Sequence, residues 1–320
     1  MKYYLAPMEG ITGFIYRNSY EKFFGGISKY FAPFIVPNKS KSLKTKELRD
    51  LLGENNKGIN LVPQILTNYS EGFLLTVEKL KELGYSEINL NLGCPSGTVV
   101  GKGRGSGFLA HREELNRFLE DIFKVEGVKL SVKTRLGVED PLEFYNLIEI
   151  YNQYPMEELI IHPRTRKDFY GNKPNLEVFK DALSLSKNKI CYNGDIFTLE
   201  DNKAFCESFK EVDRIMIGRG ILANPALMRE ILRGEFMKKE ELRAFHNEIF
   251  ENYRKVFKDD KNALFRMKEL WGYMIYIFSN HKKYSKDIRK AKDIIEYNQV
   301  LTRLFLEEDI VLGQGLFKGE

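Results

Sequence analysis

A chain of 320 residues with 43% hydrophobic content can bury a large core, and its mean hydropathy of −0.37, without any run of about 18 apolar residues, excludes a membrane-spanning helix. Its three scattered cysteines, Cys94, Cys191 and Cys206, exclude a disulfide framework, and no Cys-x-x-Cys or His-x-x-x-His spacing predicts a metal site. The formal net charge of +5 permits an anionic partner without requiring one.

Eight short runs rich in Ile, Val, Leu and Tyr, each near a Gly, Pro or Asn, are typical of strands covered on both faces. They are Tyr3–Met8, Ser28–Val36, Asn60–Leu66, Glu87–Gly93, Leu130–Gly137, Glu158–Arg164, Lys189–Ile196 and Arg214–Gly220. Amphipathic helical segments separate most of them, among them Glu71–Leu83, Arg112–Phe123, Pro141–Tyr151 and Leu176–Ser186. Eight alternations of strand and helix predict an α/β fold, a (β/α)8 TIM barrel, in preference to an open doubly wound sheet.

After Pro225 the strand-like pattern stops. Three long helical patterns follow: Lys238–Phe257, Asn262–Asn280 and Ser285–Leu306. We therefore predict a barrel domain of residues 1–234, a helical domain of residues 235–310 and a loose tail of residues 311–320. Residues 281–292, between the last two predicted helices, contain six Lys or Arg and one Asp.

The fourth predicted strand ends in Gly93-Cys94-Pro95 and opens into a glycine-rich basic loop at residues 101–107. A thiol has an unperturbed pKa of about 8.5, so Cys94 could donate a proton, attack an electrophile or bind a metal. A buried cysteine that only packs is the alternative. The position before a proline and a flexible loop favours chemistry.

In a TIM barrel the carboxyl ends of all strands meet at one face, where catalytic residues gather. The residues near those ends are Ala6, Pro7, Met8, Gln64, Asn91, Cys94, Lys133, Arg135, His162, Arg164, Asn193, Gly194, Asp195, Gly218 and Arg219. The loops after strands seven and eight, the usual phosphate site, both contain glycine, and Arg219 adds a guanidinium. We predict a phosphorylated ligand. A flavin suits Lys133, which needs a negative charge to be tolerated on an interior strand.

Structural alternatives stand beside these functional interpretations. Asp195 could cap the following helix. Arg219 could pair with a surface carboxylate, and Lys133 could extend out of the barrel towards water.

Other residues are predicted to have structural roles only. We expect Cys191 and Cys206 to pack, His246 to be solvated on its helix, and Trp271 and Tyr273 to lie in the core of the helical domain.

The sequence resembles the tRNA-dihydrouridine synthase family over nearly its whole length. The stretches that carry the resemblance are Ala6–Thr12, Asn91–Ser96, Val132–Gly137, His162–Arg166, Asn193–Asp195 and Ile217–Gly220. Glu9 is similar to the residue found in the bacterial C-type subgroup. Pro163 departs from the small residue that is more usual after the histidine.

The resemblance implies an FMN-binding barrel followed by a helical bundle that helps to hold tRNA. It implies that NADPH reduces FMN, that a uridine is flipped out of tRNA into the site, and that hydride passes from the flavin to uracil C6. Cys94 would then protonate C5 as general acid, helped by closure of the loop around Lys102–Gly107.

The resemblance also assigns roles to individual residues. The flavin contacts would be Ala6, Pro7, Met8, Gln64, Lys133, His162, Asn193, Gly194, Asp195, Gly218 and Arg219. The contacts to the uridine would be Asn91, Arg135, Arg164 and Tyr170. We expect the basic segment to contact tRNA phosphates through Lys282, Lys283, Lys286 and Arg289.

Two other functions are compatible with parts of the sequence. One is a flavin barrel that acts on a free pyrimidine such as dihydroorotate, although a free base needs no helical docking domain. The other is an RNA-binding protein without activity. We expect a cytoplasmic monomer without a signal peptide, because structure is predicted from the first residues onward.

Overall fold

The computed structural model describes residues 1–38 and 43–311. Within these ranges nine parallel strand segments form one sheet. They are β1 (Lys2–Leu5), β2 (Lys29–Phe31), β3 (Leu61–Val62), β4 (Gln64–Ile65), β5 (Glu87–Leu92), β6 (Lys129–Arg135), β7 (Leu159–His162), β8 (Ile190–Tyr192) and β9 (Arg214–Ile217). Their order in the sheet is β3-β2-β1-β9-β8-β7-β6-β5-β4.

The sheet closes because β3 and β4 are two halves of one strand. Pro63 stands between them and has no N–H to give to the ladder. On one side Leu61 of β3 pairs with Tyr30 of β2, and on the other Gln64 of β4 pairs with Asn89 of β5. The nine segments therefore make the eight strands of a TIM barrel, which confirms the predicted fold class.

Helices surround the barrel, and more helices follow it. The helices among and directly after the strands are α1 (Phe14–Phe23), α2 (Thr45–Leu51), α3 (Ser70–Glu82), α4 (Gly97–Val100), α5 (Arg112–Ile122), α6 (Glu143–Tyr151), α7 (Leu176–Leu185), α8 (Leu199–Ser208), α9 (Arg219–Ala223) and α10 (Leu227–Arg233). The later helices are α11 (Lys239–Phe257), α12 (Asp260–Met274), α13 (His281–Lys290) and α14 (Ile294–Glu307). Short 3-10 turns occur at Gly53–Asn55, Gly105–Ala110 and Ile275–Ile277.

The prediction of one helix over Ser285–Leu306 is wrong. The backbone leaves the helical region at Ala291, where ψ is 127°. Asp293 then starts α14, because its side chain accepts a hydrogen bond from the N–H of Glu296. The basic segment 281–292, predicted to lie between helices, forms α13 itself.

The proposed division at residue 234 falls in a short connection. Helix α10 ends at Gly234, whose φ of +71° suits glycine, and α11 begins five residues later at Lys239. The domain bounds 1–234 and 235–310 stay a prediction. The predicted tail, residues 311–320, lies outside the described residues from position 312 onward.

Side chains fill the barrel interior, as is usual in this fold. One buried cluster inside the ring of strands consists of Tyr4, Ala6, Phe31, Val62, Ile160, Cys191 and Met216. Cys191 is fully buried there, as predicted for a packing residue. A ligand must therefore bind above this layer, at the carboxyl ends of the strands.

The helices after the barrel pack directly on it. Phe245 of α11 lies 5.1 Å from Phe24 and 5.9 Å from Tyr16, measured between ring centroids. Helix α12 also contacts α9, the short helix that follows the last strand. Trp271 of α12 is buried, as the sequence predicted for a core residue. The strand ends and the later helices thus share one region of the molecule.

Candidate active site at the mouth of the barrel

The carboxyl ends of the strands bring most of the predicted site residues to one opening, which we call the mouth. Strand register sets their neighbours: Asn91 of β5 lies beside Lys133 of β6, and Arg135 of β6 lies beside His162 of β7. Polar side chains from adjacent strands therefore line the mouth above the apolar interior.

A chain of amide hydrogen bonds crosses three strands below the mouth. Asn91 Nδ2 donates to Gln64 Oε1 (2.7 Å), and Gln64 Nε2 donates to Asn89 Oδ1 (2.8 Å). Asn89 Nδ2 in turn donates to Ser131 Oγ (2.9 Å). Asn89 and Ser131 were not among the site residues predicted from the sequence. Asn89 could have been found, because it stands two residues before Asn91 and so faces the same side of β5.

The backbone around Cys94 is fixed from two directions. Asn91 Oδ1 accepts hydrogen bonds from the N–H groups of Gly93 and Cys94, each at 3.0 Å. The Cys94 carbonyl accepts from Ser106 through Oγ (2.9 Å) and through its N–H (3.1 Å). Gly105 allows this approach, since its φ is +55° and a Cβ there would lie 2.7 Å from the Cys94 carbonyl oxygen. The glycine-rich loop is thereby held against the cysteine.

Burial sets the protonation of Cys94 and Lys133 in different ways. Burial raises the pKa of the Cys94 thiol more than the nearby Arg135 and Lys133 lower it. Burial, with Arg135 nearby, lowers the pKa of the Lys133 ammonium to about 7. A thiol that stays protonated at neutral pH can act as a proton donor.

Two arginines hold the Asp195 carboxylate. Arg164 donates to both of its oxygens, at 2.9 and 2.5 Å, and Arg219 Nη2 donates to Oδ1 at 2.5 Å. The alternative that Asp195 caps the next helix is wrong, because Thr198 caps α8 together with Asp201. The alternative that Arg219 pairs with a surface carboxylate is confirmed in part. Arg219 does pair with a carboxylate, but this carboxylate belongs to Asp195 and lies at the mouth.

His162 lies among cationic groups and is neutral. Burial, followed by the charges of Arg135, Lys133, Arg164 and Arg219, holds the pKa of His162 well below its usual range. Arg164 Nη1 lies 3.2 Å from His162 Nε2. Because a guanidinium only donates, Nε2 accepts and the imidazole proton is on Nδ1. The mouth therefore carries an excess of positive charge suited to an anion.

The ring of Tyr170 lies over these cations. Its centroid is 4.3 Å from the Arg219 guanidinium carbon and 5.4 Å from that of Arg135. The Tyr170 and His162 rings are 6.0 Å apart. The side chain is 39% exposed, so it is accessible from outside the mouth.

Arg135 and Arg164 are buried and donate to backbone carbonyls. Arg135 Nε donates to the Gly93 carbonyl at 2.9 Å, and its Nη1 donates to those of Thr165 (2.8 Å) and Phe169 (2.9 Å). Arg164 Nε donates to the carbonyl of residue 172 at 2.5 Å. These two arginines hold the loop after β7, and their predicted contact with substrate stays a prediction.

The loops after β1 and β9 touch each other. A Cβ at Gly218 would lie 3.2 Å from the Ala6 methyl and 3.8 Å from Met8 Sδ. A Cβ at Gly220 would overlap the Ile196 carbonyl oxygen, so only glycine fits there. Three predicted cofactor contacts, Ala6, Met8 and Gly218, are therefore neighbours.

The remaining predicted cofactor contacts lie in the loops after β1 and β8. Pro7 is the second residue after β1. Asn193 Nδ2 donates to the Met216 carbonyl at 2.8 Å, which ties the end of β8 to β9. Gly194 follows Asn193 and leads to the Asp195 carboxylate.

Tyr273 of α12 was missed as a residue of the mouth. It was predicted to lie with Trp271 in the helical core, yet Tyr170 and Arg219 are among its electrostatic neighbours. Helical periodicity identifies a packed face but not which neighbour that face meets. The later helices thus contribute a phenol to the mouth.

The predicted phosphate contacts lie on a different element. Helix α13 buries Tyr284 and Ile288 and packs against α12 and α14. Its exposed side chains include Lys282, Lys283, Lys286 and Arg289. Lys283 Nζ is 3.5 Å from the Glu307 carboxylate.

The described residues offer neither a metal site nor a membrane-spanning helix. No group of His, Cys, Asp or Glu in residues 1–38 and 43–311 is arranged to hold a metal ion. None of the helices in the same ranges is both long and apolar enough to cross a membrane.

Comparison with known sequences identifies a family. The family model described as dihydrouridine synthase (Dus) matches residues 4–308. A protein of Staphylococcus aureus named "Probable tRNA-dihydrouridine synthase" is 28% identical over 265 residues, covering 78% of each chain. A Bacillus subtilis protein named "Probable tRNA-dihydrouridine synthase 2" is 28% identical over 258 residues, again covering 78% of each chain.

Comparison with solved structures identifies the same fold. Morphinone reductase in complex with tetrahydroNAD superposes with a TM-score of 0.53 at 9% identity, covering 74% of this chain and 88% of that one. Histamine dehydrogenase from Rhizobium sp. 4-9 superposes with a TM-score of 0.56 at 12% identity, covering 73% of this chain and 46% of that one. At such identities the likeness concerns the barrel fold alone.

Proposed function

The chain belongs to the dihydrouridine synthase family, and from this premise we propose that it is an oxidoreductase that reduces a uridine of tRNA to dihydrouridine. We propose FMN as the bound cofactor and NADPH as the reductant. The overall reaction consumes uridine, NADPH and one proton and yields dihydrouridine and NADP⁺. The observation that carries the proposal is the position of Cys94, which follows β5 and is held by Asn91 and Ser106 at a mouth lined by Lys133, Arg135, Arg164 and Arg219.

The residues of the mouth fit FMN. Lys133 Nζ has no hydrogen-bond or ion-pair partner in residues 1–38 and 43–311, so its ammonium is available to an anionic ring edge. Gln64 offers a buried amide, and the cations around His162 suit a phosphate. The proposed contacts are Ala6, Pro7, Met8, Gln64, Lys133, His162, Asn193, Gly194, Asp195, Gly218 and Arg219. When bound, FMN would supply the hydride that is added to uracil C6.

Cys94 is the proposed general acid. Its thiol donates a proton to C5 of the uracil as C6 gains hydride, and water returns a proton to the sulfur. The raised pKa favours this role, because it keeps the proton on sulfur until the base accepts it. Ser106 and Gly105 hold the Cys94 backbone in place.

Asn91 is the proposed orienting residue for the pyrimidine. Its Oδ1 accepts from the Cys94 N–H at 3.0 Å, so the amide and the thiol are positioned together. Tyr170, Arg135 and Arg164 are the other proposed substrate residues. Tyr170 has the most exposed side chain of these three, and we assign it the direct contact.

The substrate base must leave the RNA stack to reach Cys94, since chemistry on a paired or stacked base is blocked. We propose that residues 235–310 hold the folded tRNA while this occurs. The exposed cations of α13 support this role, because phosphate contacts supply most of the affinity in such complexes. Membership of the C-type subgroup, suggested by Glu9, stays a prediction.

An assay with unmodified tRNA tests the function. Purified protein with FMN and NADPH should form dihydrouridine in tRNA, detected by mass spectrometry of nucleosides. Cys94→Ala should retain FMN and lower product formation by at least about a hundredfold, the lower range for loss of a general acid. Cys206→Ala, a partly buried cysteine on α8, is the matched control and should act as wild type.

Three results would contradict the proposal in different ways. Full activity of Cys94→Ala would remove the acid role alone. Protein that binds no flavin and leaves tRNA unchanged would sink the whole proposal. Comparable turnover of free uracil or dihydroorotate would favour an enzyme of free pyrimidines.

A further inference from the structure

Phe169 combines two features that packing does not explain. It is a non-glycine residue with positive φ, at +47°, a backbone region that L-residues with bulky side chains rarely adopt. Its side chain is also 53% exposed, and its ring makes no ring–ring or cation–π contact within the described ranges. An apolar side chain is thus presented to solvent from a strained backbone.

Hydrogen bonds hold the strained turn around Phe169 in place. Asp168 Oδ2 accepts from the N–H (2.7 Å) and the hydroxyl (2.9 Å) of Thr165, and Gly171 N–H donates to the Asp168 carbonyl at 2.8 Å. Arg135 Nη1 donates to the Phe169 carbonyl at 2.9 Å. Strain that the surroundings enforce in this way is characteristic of ligand-binding positions.

The same guanidinium connects this turn to the segment that carries Cys94. Arg135 Nε donates to the carbonyl of Gly93, the residue before Cys94, at 2.9 Å. One guanidinium group therefore bonds to the backbone of Phe169 and to the residue before Cys94, the proposed general acid. Phe169 lies beside Tyr170, whose ring covers the mouth.

The charge around Phe169 favours RNA over an apolar partner. Lys167 and Lys173, on either side of it in the loop, are both exposed, and Lys167 also pairs with the exposed Glu139 at 3.5 Å. An exposed aromatic ring between basic residues is the arrangement by which proteins stack unpaired bases while contacting phosphates.

We propose that Phe169 is a base-stacking residue, which holds a nucleotide neighbouring the target uridine when that uridine enters the mouth. The inference rests on the proposed function and adds a residue to it. Flipping one uridine leaves its neighbours without a stacking partner, and an aromatic ring beside the mouth can replace that partner. The strained backbone leaves the ring half-exposed beside the mouth, without a ring–ring or cation–π contact to another described residue.

Binding and stability measured together test this proposal. Phe169→Gly removes the ring and relieves the backbone strain, so we expect an unchanged or higher Tm with unchanged flavin content. The Kd for unmodified tRNA should rise at least about fivefold, the lower range for loss of one base–aromatic stack. Phe169→Tyr keeps a π face and should bind as wild type.

Lys258→Gly is the matched control. Lys258 is the other non-glycine residue with positive φ among the described residues, at +53°, and it ends α11 away from the loop after β7. This variant relieves similar strain without removing a ring, so its Tm should likewise be unchanged or higher. It also removes a charge from the helices proposed to hold tRNA, and it is therefore a control for backbone strain and stability alone.

Wild-type affinity in Phe169→Gly would overturn the inference, and so would a lowered Tm, because the ring would then be a packing residue. Dihydrouridine formation by the wild type, measured in parallel, separates the two proposals. If the wild type modifies tRNA while Phe169→Gly binds normally, only the stacking inference fails.

Discussion

Burial determines the protonation of three side chains at the mouth, and each shift has the direction that its proposed role needs. The pKa of Cys94 is raised, so the thiol keeps the proton that it would donate. The pKa of His162 is lowered, so the imidazole adds no charge to the cations around it. The pKa of Lys133, at about 7, lies where an anionic ligand can shift it.

FMN affinity should therefore depend on pH through Lys133. An anion raises the folded-state pKa of the lysine, so binding takes up a proton at pH values between the free and bound pKa values. Affinity should be constant below about pH 7 and should fall by up to about tenfold per unit above it. Flavin fluorescence titrations from pH 6 to 9 measure this slope.

The Lys133→Met variant should bind FMN more weakly at pH 7, and its FMN affinity should not fall as the pH rises above 7. Lys129→Met is the control, because Lys129 begins the same strand at the opposite end of the barrel and is exposed. An unaltered slope in Lys133→Met would assign the titration to another group.

At the scale of elements, the later helices join through a buried polar centre. His246 of α11 was expected to be solvated, and that expectation is wrong, because it is 1% exposed. Its Nε2 lies 2.8 Å from the Tyr297 hydroxyl of α14, which accepts from Trp271 Nε1 of α12 at 2.7 Å. The Tyr297 phenol thus connects α11, α12 and α14.

Helix α13 should contribute to tRNA affinity through charge. Replacing Lys282, Lys283, Lys286 and Arg289 by Gln should raise the Kd for tRNA and flatten its salt dependence. Each phosphate contact that is lost should reduce the slope of log K against log salt by about one unit. Filter binding or anisotropy at several salt concentrations provides the measurement.

Four exposed lysines of the barrel flank provide a control with the same change of charge. Replacing Lys124, Lys180, Lys187 and Lys203 by Gln should preserve the slope. If both quadruple variants bind with the wild-type slope, the cations of α13 serve solubility alone.

At the scale of the whole molecule, one buried carboxylate binds side chains from several strands at the end of the barrel opposite the mouth. Glu158 is fully buried and accepts from Lys29 (2.7 Å), the Tyr4 hydroxyl (3.0 Å) and Arg214 (3.2 Å). Lys29 also pairs with Glu87 at 2.8 Å. Strands β1, β2, β5 and β9 are thereby linked at a point remote from the chemistry.

Glu158→Gln should destabilise the fold without changing the mouth. Removing one partner of a buried ion pair leaves the other charge uncompensated and costs about 3–5 kcal/mol. Urea unfolding measures the loss, and the flavin content of the folded fraction should match wild type.

Glu120→Gln, which removes an exposed ion pair with Lys124 at 3.8 Å, is the control and should change stability by less than about 0.5 kcal/mol. Equal stability of Glu158→Gln and wild type would mean that this network is energetically neutral.

The barrel and part of its site could be predicted because parallel strands carry local signals. Buried strands are continuous apolar runs, and their carboxyl ends share one face, so Asn91, Lys133 and His162 could be grouped without a structure. The ends of the strands and helices were harder to predict, because Pro63 splits one predicted strand and the cap at Asp293 splits one predicted helix. Local pattern alone does not decide whether a helix continues or a new cap forms.

The sequence by itself determined the fold class, the family and the position of Cys94 at a strand end, because these depend on short-range pattern and on motifs read along the chain. Only the tertiary structure decided that Arg135 holds both the Cys94 loop and the Phe169 turn, that Asp195 joins two arginines, and that His246 is buried. These contacts join residues far apart in the chain. Which polar partner a buried side chain finds depends on packing in space, and periodicity carries no information about it.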